Sequence, residues 1–341
     1  MLQAFFSWYN GLTDGLIGSL ALFAVGLVLL IKGGDWFVDS ATGIAKRFRV
    51  PEIIIGATVV SIGTTLPEVM VSATAAANGN GAIAYGNAIG SIICNTSLIA
   101  ALTIAIRPAP VNRKAITMPV LFFFLSAAIY VVAAYIFGSF DRWLGLVMLA
   151  VFAAYMFMTI RNGFKNPVQE EGHEEEAAEG SLLKDVIVLV VSAALIAVGA
   201  DMLEGSSVSL ATMAGIPTEV VGVTIVALCT SLPELVTAIT ALAKGHGALS
   251  LGNIIGANIF NLVLVSGVAV TLSPFSVPQG STIFGQNTSL VLEIPLMVGV
   301  MALMTLPALA CKKLFRWQGA ALLCIYVAFV VLQVMIALHM I

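Results

Sequence analysis

Charge is scarce in this 341-residue sequence. Asp, Glu, Lys and Arg together make up 10% of it, against about 25% in an ordinary soluble domain. With 60% of residues apolar and a mean hydropathy of +1.04, a soluble globule is excluded and a polytopic membrane protein is expected. The basic residues form no stripe, which argues against nucleic acid as a partner. The four cysteines, Cys94, Cys229, Cys311 and Cys324, fall in apolar runs without metal-ligand spacing and read as apolar filler. The three histidines, His173, His246 and His339, fall in connections or near the terminus and make no metal set. No nucleophile–base combination or phosphate loop lies among the apolar runs, so neither an enzyme nor a bound cofactor is expected. A basic n-region and a cleavage site are also missing at the N-terminus, so no removed signal peptide is expected.

What is present is a series of long apolar runs, near 16–38, 51–77, 82–106, 115–137, 140–160, 185–209, 217–243, 248–272, 289–311 and 318–339. Each suits a helix of about 20 residues crossing a bilayer, so an all-α fold of about ten transmembrane helices is expected. The longest polar connection, 161–184, carries six glutamates (170, 171, 174, 175, 176 and 179) and accounts for most of the net charge of −3. It lacks the Asp-x-Asp-x-Asp-Gly pattern of a calcium loop and reads as an acidic cytoplasmic linker between units at 1–160 and 185–341. Basic residues follow alternate runs: Lys46, Arg47 and Arg49 after the first, Arg107, Arg113 and Lys114 after the third, Arg161, Lys165 and Lys184 after the fifth, Lys244 after the seventh, and Lys312, Lys313 and Arg316 after the ninth. Arg142 alone lies in a connection of the opposite parity. The positive-inside rule then makes those connections cytoplasmic and puts both termini outside the cytoplasm, in a cell (inner) membrane.

One stretch occurs twice. Ala227-Leu-Cys-Thr-Ser-Leu-Pro-Glu234 repeats Ser61-Ile-Gly-Thr-Thr-Leu-Pro-Glu68 at an offset of 166, and residues 56–95 match 222–261 at 19 of 40 positions. Five runs, an odd number, separate the copies, so they cross the membrane in opposite senses. Two inverted-topology repeats of five helices are therefore expected, with an ion site at the midplane where they meet. A helix running through Pro67 leaves the Gly63 carbonyl without its donor, so helices two and seven are expected to be broken at Thr-x-Leu-Pro-Glu. Thr64 lies four residues before Glu68 and shares its helix face. Free carbonyls, hydroxyls and a carboxylate make a site for a hard cation.

Two buried glutamates cost about 5–7 kcal/mol on insertion scales, a large share of a stability of about 5–15 kcal/mol. A divalent ion, or two or more monovalent ions or protons, would offset both charges. The next helix of each repeat adds a polar stripe: Asn87, Ser91 and Asn95 in one, Asn253 and Asn261 in the other, with Asn258 nearby. Asn87 and Asn253 read as helix–helix glue, with Gly86, Gly90, Gly252 and Gly256 permitting close approach. Asn95 and Asn261 read as ligands. Asp35 and Asp201, paired by the repeat, read as helix-end caps or hinge contacts. Glu293 has no repeat partner and reads equally as a pathway residue or an interfacial one.

The segments 56–68 and 86–95, their counterparts Gly222–Glu234 and Gly252–Asn261, and Gly34-Asp35-Trp36-Phe37-Val38 resemble the sodium/calcium exchangers of the cation/calcium antiporter superfamily, prokaryotic type. The resemblance covers nearly the whole chain. It implies that Glu68 and Glu234 coordinate calcium and sodium, and that Thr64, Thr65, Thr230 and Ser231 supply hydroxyls. Ser61 and Ala227 match backbone-carbonyl ligands, and Ser91 and Asn95 match polar ligands. The chain departs from relatives at Asn261, often an aspartate, at Ala257, often a serine, and at Ile92, where many have an asparagine. Two central carboxylates thus stand where some relatives have three.

The implied activity is extrusion of Ca2+ against Na+ entry by alternating access, with helices one and six as the moving gate. The transported ions and the lipid bilayer are the implied partners, and a monomer suffices because both halves of the site come from one chain. A proton-coupled antiporter of Ca2+ or another cation on the same fold, and a passive cation channel, stay open as alternatives. The orientation predicts that alkaline phosphatase fused after residue 341 is active and that GFP fused there is dark; the reverse pattern would put the termini in the cytoplasm.

Overall fold

The computed structural model describes residues 15–108, 110–165, 181–215, 228, 231–279, 282–338 and 340. Its helices are α1 (Leu16–Phe48), α2 (Glu52–Ala77), α3 (Gly81–Ile106), α4 (Arg113–Phe137), α5 (Arg142–Lys165), α6 (Leu182–Met213), α7 (Leu232–Ala243), α8 (Gly247–Leu272), α9 (Ser289–Cys311) and α10 (Arg316–Ala337). Among the described residues nine are long and apolar enough to cross a membrane, and α7 is a shorter apolar helix. Each expected run thus has its helix, and the part of the seventh run at 217–227 and 229–230 lies outside the described residues. The expected linker is entered by helix from both ends, since α5 runs to Lys165 and α6 starts at Leu182; residues 166–180 of it are outside the described ones.

The two proline motifs behave differently. The expected break at Pro67 does not form: the helix is continuous over Ser61–Ala77 with Pro67 inside it. The irregularity sits just upstream, where Gly56–Val60 widen into π geometry. Proline is tolerated within a membrane helix where neighbouring helices and local π adjustment take care of the freed groups. At the second motif the backbone does leave helical geometry at Ser231 (φ −94°, ψ 7°), and α7 begins at Leu232 with Pro233 in its first turn. There the missing N–H is one that has no intrahelical partner anyway.

The turns after both motifs are the same turn. Gly79 (φ 79°) and Gly245 (φ 89°) occupy repeat-equivalent positions. Asn80 N–H donates to Ala75 O at 2.8 Å and His246 N–H to Ala241 O at 2.7 Å, closing equivalent rings. Left-handed backbone here requires glycine or a near substitute.

Burial sorts the helices. The apolar windows of α8 and α3 are 83% and 72% buried, against 11% for α10, so α3 and α8 run through the protein interior. The crossing of α2 over α8 depends on glycine: a Cβ at Gly56 would strike Leu249 O, and one at Gly252 would strike Ile53 O. Gly256 likewise faces Ala57 and Ser61. The expectation for Gly86 and Gly90 fails, since a Cβ at either meets nothing within 4 Å.

The pair α1–α6 is antiparallel. A Cβ on Gly26 would lie 2.8 Å from Gly199 O, and one on Gly33 would lie 3.2 Å from Ser192 O. The offset of 166 maps the first contact onto the second, so the inverted repeat is visible in packing. Asp35 and Asp201 are not helix-end caps, because α1 continues to Phe48 and α6 to Met213. Arg47 on α1 reaches Asp185 on α6 at 3.3 Å, a bond that helps hold α1 helical to its end. Elsewhere, strand β1 (Ser139–Phe140) pairs antiparallel with β2 (Phe275–Ser276), tying the α4–α5 connection to the α8–α9 connection. Phe140 and Phe275 pack there in a tilted pair, 5.5 Å between ring centroids, beside Tyr85 and Tyr130. A hairpin, β3 (Thr282–Ile283) with β4 (Gln286–Asn287), completes the described strands.

The glycine contacts predict a contrast. Gly252→Ala should destabilise the purified protein by about 1–3 kcal/mol through overpacking, while Gly90→Ala should stay within about 0.5 kcal/mol, both read as shifts in thermal or denaturant unfolding midpoint in detergent.

Candidate cation site

Helices α2 and α7 each deliver one carboxylate to the interior. Glu68 is 1% exposed and Glu234 is fully buried. Thr65, on the turn before Glu68, donates its hydroxyl to Glu234 Oε1 at 3.3 Å. That bond puts the acid of α7 against the face of α2 that carries Glu68, and the two carboxyls interact electrostatically. No ion pair to either acid is formed among the described residues.

The four helices α2, α3, α7 and α8 carry buried polar atoms without hydrogen-bond partners, among them both oxygens of Glu68, Oε2 of Glu234, the hydroxyls of Ser91 and Ser231, and the amide groups of Asn95 and Asn261. Buried polar groups are nearly always paired, and leaving one unpaired costs about 1–3 kcal/mol. Glu68, Glu234, Ser91, Asn95, Ser231 and Asn261, six of the residues the sequence nominated, each carry such an atom, which makes these four helices the candidate site. An asparagine contributes one oxygen to a cation, while its NH2 can bond only to an acceptor.

Asn95 and Asn261 share one further feature. Each opens a π turn, Asn95–Ala100 in α3 and Asn261–Val265 in α8. The two irregularities are repeat-equivalent, and such single-turn bulges concentrate at functional sites.

Asn87 and Asn253 do act as glue. Asn87 Nδ2 donates to Glu68 O at 3.2 Å and to Ser72 Oγ at 2.8 Å, fixing α3 to α2. Asn253 Oδ1 accepts from Ser61 at 3.2 Å and Thr64 at 3.4 Å, and its Nδ2 donates to Thr237 at 3.0 Å. One amide therefore joins α2, α7 and α8 beneath the carboxylates. Ser61 also donates to Gly56 O at 2.8 Å and to Asn253 O at 3.0 Å, and its backbone carbonyl accepts from Thr64 at 3.5 Å. Ala227 and Thr230 lie outside the described residues.

Some neighbours escaped the sequence reading. Thr237, one turn past Glu234, carried a signal in its i+3 spacing. Ser72, one turn past Glu68, carried one in its i+4 spacing. Cys94 gave no such signal; its buried thiol lies beside Ser231 and Tyr326. Asn258 bonds to Thr96 at 2.7 Å and to Met301 Sδ at 3.2 Å, bracing α8 against α3 and α9. Glu293 accepts from Gln333 at 3.1 Å, which ties α9 to α10 away from the acid pair. On the outer side of the motifs, a crevice too tight for water runs between Phe37 of α1, Ala193 and Ala197 of α6, and Thr64, Pro67 and Pro233. Both motif prolines thus adjoin the α1–α6 pair.

Chemically, the site offers two carboxylates with hydroxyl and amide oxygens in a water-poor interior. Mixed oxygen sets of this kind suit calcium's flexible shell of about 6–8 ligands better than magnesium's strict octahedron.

Comparison with known proteins agrees in sequence and in shape. A family model described as sodium/calcium exchanger protein matches residues 18–161 and 184–335. The sodium/calcium exchanger MaX1 of Methanosarcina acetivorans is 34% identical, over 91% of this chain and 97% of its own. The inner membrane protein YrbG of Escherichia coli is 33% identical, over 74% of this chain and 80% of its own. A solved structure of the sodium-calcium exchanger NCX_Mj, soaked with Na+ and Sr2+, superposes with a TM-score of 0.77 at 31% identity, covering 92% of this chain and 98% of that one.

The division between glue and unpartnered groups is testable on the purified protein. Asn253→Ala should lower stability in ion-free buffer by about 1–3 kcal/mol, because it strands its partners. Asn261→Ala should leave that stability unchanged or higher, while shrinking the rise in unfolding temperature produced by added Ca2+.

Proposed function

This chain belongs to the sodium/calcium exchanger protein family, and from that premise we propose that it is a secondary-active antiporter that extrudes Ca2+ against Na+ entry at the Glu68–Glu234 site. The observation that carries the reading is a pair of buried acids, one on each copy of the repeated motif, on helices that with α3 and α8 hold unpartnered buried polar atoms. In this reading Thr64, Thr65, Thr230 and Ser231 supply hydroxyls, Ser61 and Ala227 supply backbone carbonyls, and Ser91, Asn95 and Asn261 complete the set. A divalent ion cancels both carboxylate charges at once, as do two or more monovalent ions. Sodium and calcium then compete for overlapping oxygens. The neutralised states can change which side the site opens to, and the bare charged state resists the change. Each ion shifts that equilibrium only by its differential affinity for the two openings.

The α1–α6 pair is the moving part in this account. Its two helices hold each other through glycine contacts and border the motif prolines across the tight crevice. The repeats at 1–160 and 185–341, joined by the cytoplasmic linker 161–184, carry the two halves of the site. The basic connections face the cytoplasm and both termini lie outside it, in an inner membrane; the printed name of the Escherichia coli relative supports that location.

The deciding experiment uses vesicles with an imposed sodium gradient at clamped pH. Wild type should take up calcium-45, and Glu68→Gln should reduce uptake to background. Undiminished uptake by the variant would reject the assignment of the acid. Uptake driven by a pH gradient in the absence of sodium would instead make the proton the coupling ion.

A further inference from the structure

The turn between α7 and α8 carries charge that its repeat mate lacks. Lys244 Nζ lies 2.8 Å from Asp39 Oδ1 and 3.6 Å from Asp35 Oδ1, and it donates to Asp35 O at 2.9 Å. Two residues on, His246 Nδ1 lies 2.8 Å from Glu52 Oε1. The turn is therefore pinned to α2 and reaches out to α1. At the repeat-equivalent positions Lys244, His246, Asp39 and Glu52 are replaced by Asn78, Asn80, Gly205 and Thr218. Asp35 alone among these charges has a charged mate, Asp201. Two turns that share their glycine and their backbone hydrogen bonds thus differ in whether they can hold the neighbouring long helix by charge.

The contact between α1 and α7 next to this ion pair is smooth. A Cβ on Gly34 would lie 2.6 Å from Val236 Cγ1 and 3.2 Å from Thr240 Oγ1, so α1 rests on α7 through backbone. Lys244 follows Thr240 by one helical turn. A displacement of α1 along α7 by one residue, about 1.5 Å, would already lengthen the Lys244–Asp39 bond.

We propose that Lys244 is a positioning residue that latches α1 to the α7–α8 turn and favours the arrangement closed on that face, cytoplasmic in the orientation given above. The proposal rests on the reading of α1–α6 as the moving gate. It makes the two faces of a nearly symmetric carrier unequal: opening at the Lys244 face first breaks an ion pair, whereas at the other turn Asn78 stands in the position of Lys244 and carries no charge. Apparent affinity falls with the fraction of protein in the competent state, so the latch raises the cation concentration needed on its own face.

Two measurements on Lys244→Gln test this. In sided vesicles the half-saturating Ca2+ concentration on the Lys244 face should fall roughly two- to five-fold, the scale expected of one partly exposed ion pair. Raising ionic strength with choline chloride should mimic this in wild type and do little in the variant. In detergent, hydrogen–deuterium exchange of segment 35–48 should quicken by a similar factor. Lys244→Asp combined with Asp39→Lys should restore both values. If Lys244→Gln leaves both half-saturation and exchange at wild-type values, the latch is wrong. If wild-type vesicles show no sodium-driven uptake, the exchanger reading fails, and the exchange rates still decide the latch.

Discussion

Two carboxyl groups held out of water in the interior set the terms for everything else in this protein. Glu68 and Glu234 are both buried, and Glu234 accepts a hydrogen bond from Thr65 on the helix that carries Glu68. Taking a charge out of water is costly unless it is paired, and in the proposed reading the pairing comes from the transported cations. The surrounding architecture keeps that demand unmet by protein. Asn87 and Asn253 bind helices together around the acids and leave the carboxylate oxygens alone. The glycine crossing of α2 and α8 brings the backbones close enough to exclude water from the space.

The same arrangement explains why the site is made from opposed repeats. Each half supplies one acid, one polar helix with a π turn, and one long outer helix. Because the halves are threaded oppositely, an opening on one face has a near-mirror on the other, which is the geometry alternating access requires. Departures from that symmetry then carry meaning. The charged α7–α8 turn is such a departure, and in the proposal above it biases which opening is favoured.

Most of the plan could be read from the chain because membrane insertion leaves few options. A bilayer forces apolar runs into helices, so the expected runs and the observed helices agree closely, except that α1 runs on to Phe48 and the seventh run is described as helix only from Leu232. The repeat singled out Glu68 and Glu234, both of which are buried, and the polar stripes singled out Ser91, Asn95 and Asn261, whose side chains are buried without hydrogen-bond partners. What failed to show was local. Pro67 was read as a break because its missing N–H is visible in the sequence, yet the helix runs through it over Ser61–Ala77 and the irregular turn lies upstream at Gly56–Val60. Asp35 was read as an end cap because the apolar run fades near it, yet α1 continues on polar contacts such as Arg47–Asp185. Cys94 was read as filler because no spacing distinguishes it, and only packing puts it beside Ser231 and Tyr326. The Phe140–Phe275 strap between distant connections has no periodic signature at all.

The central claim is that calcium and sodium contend for one set of oxygens around two buried acids. Calorimetric titration of the purified protein with Ca2+ at a series of Na+ concentrations addresses it directly. The account predicts one class of calcium site whose apparent dissociation constant rises with Na+ more steeply than first order, with unchanged calcium stoichiometry. A calcium affinity that does not depend on Na+ would contradict it.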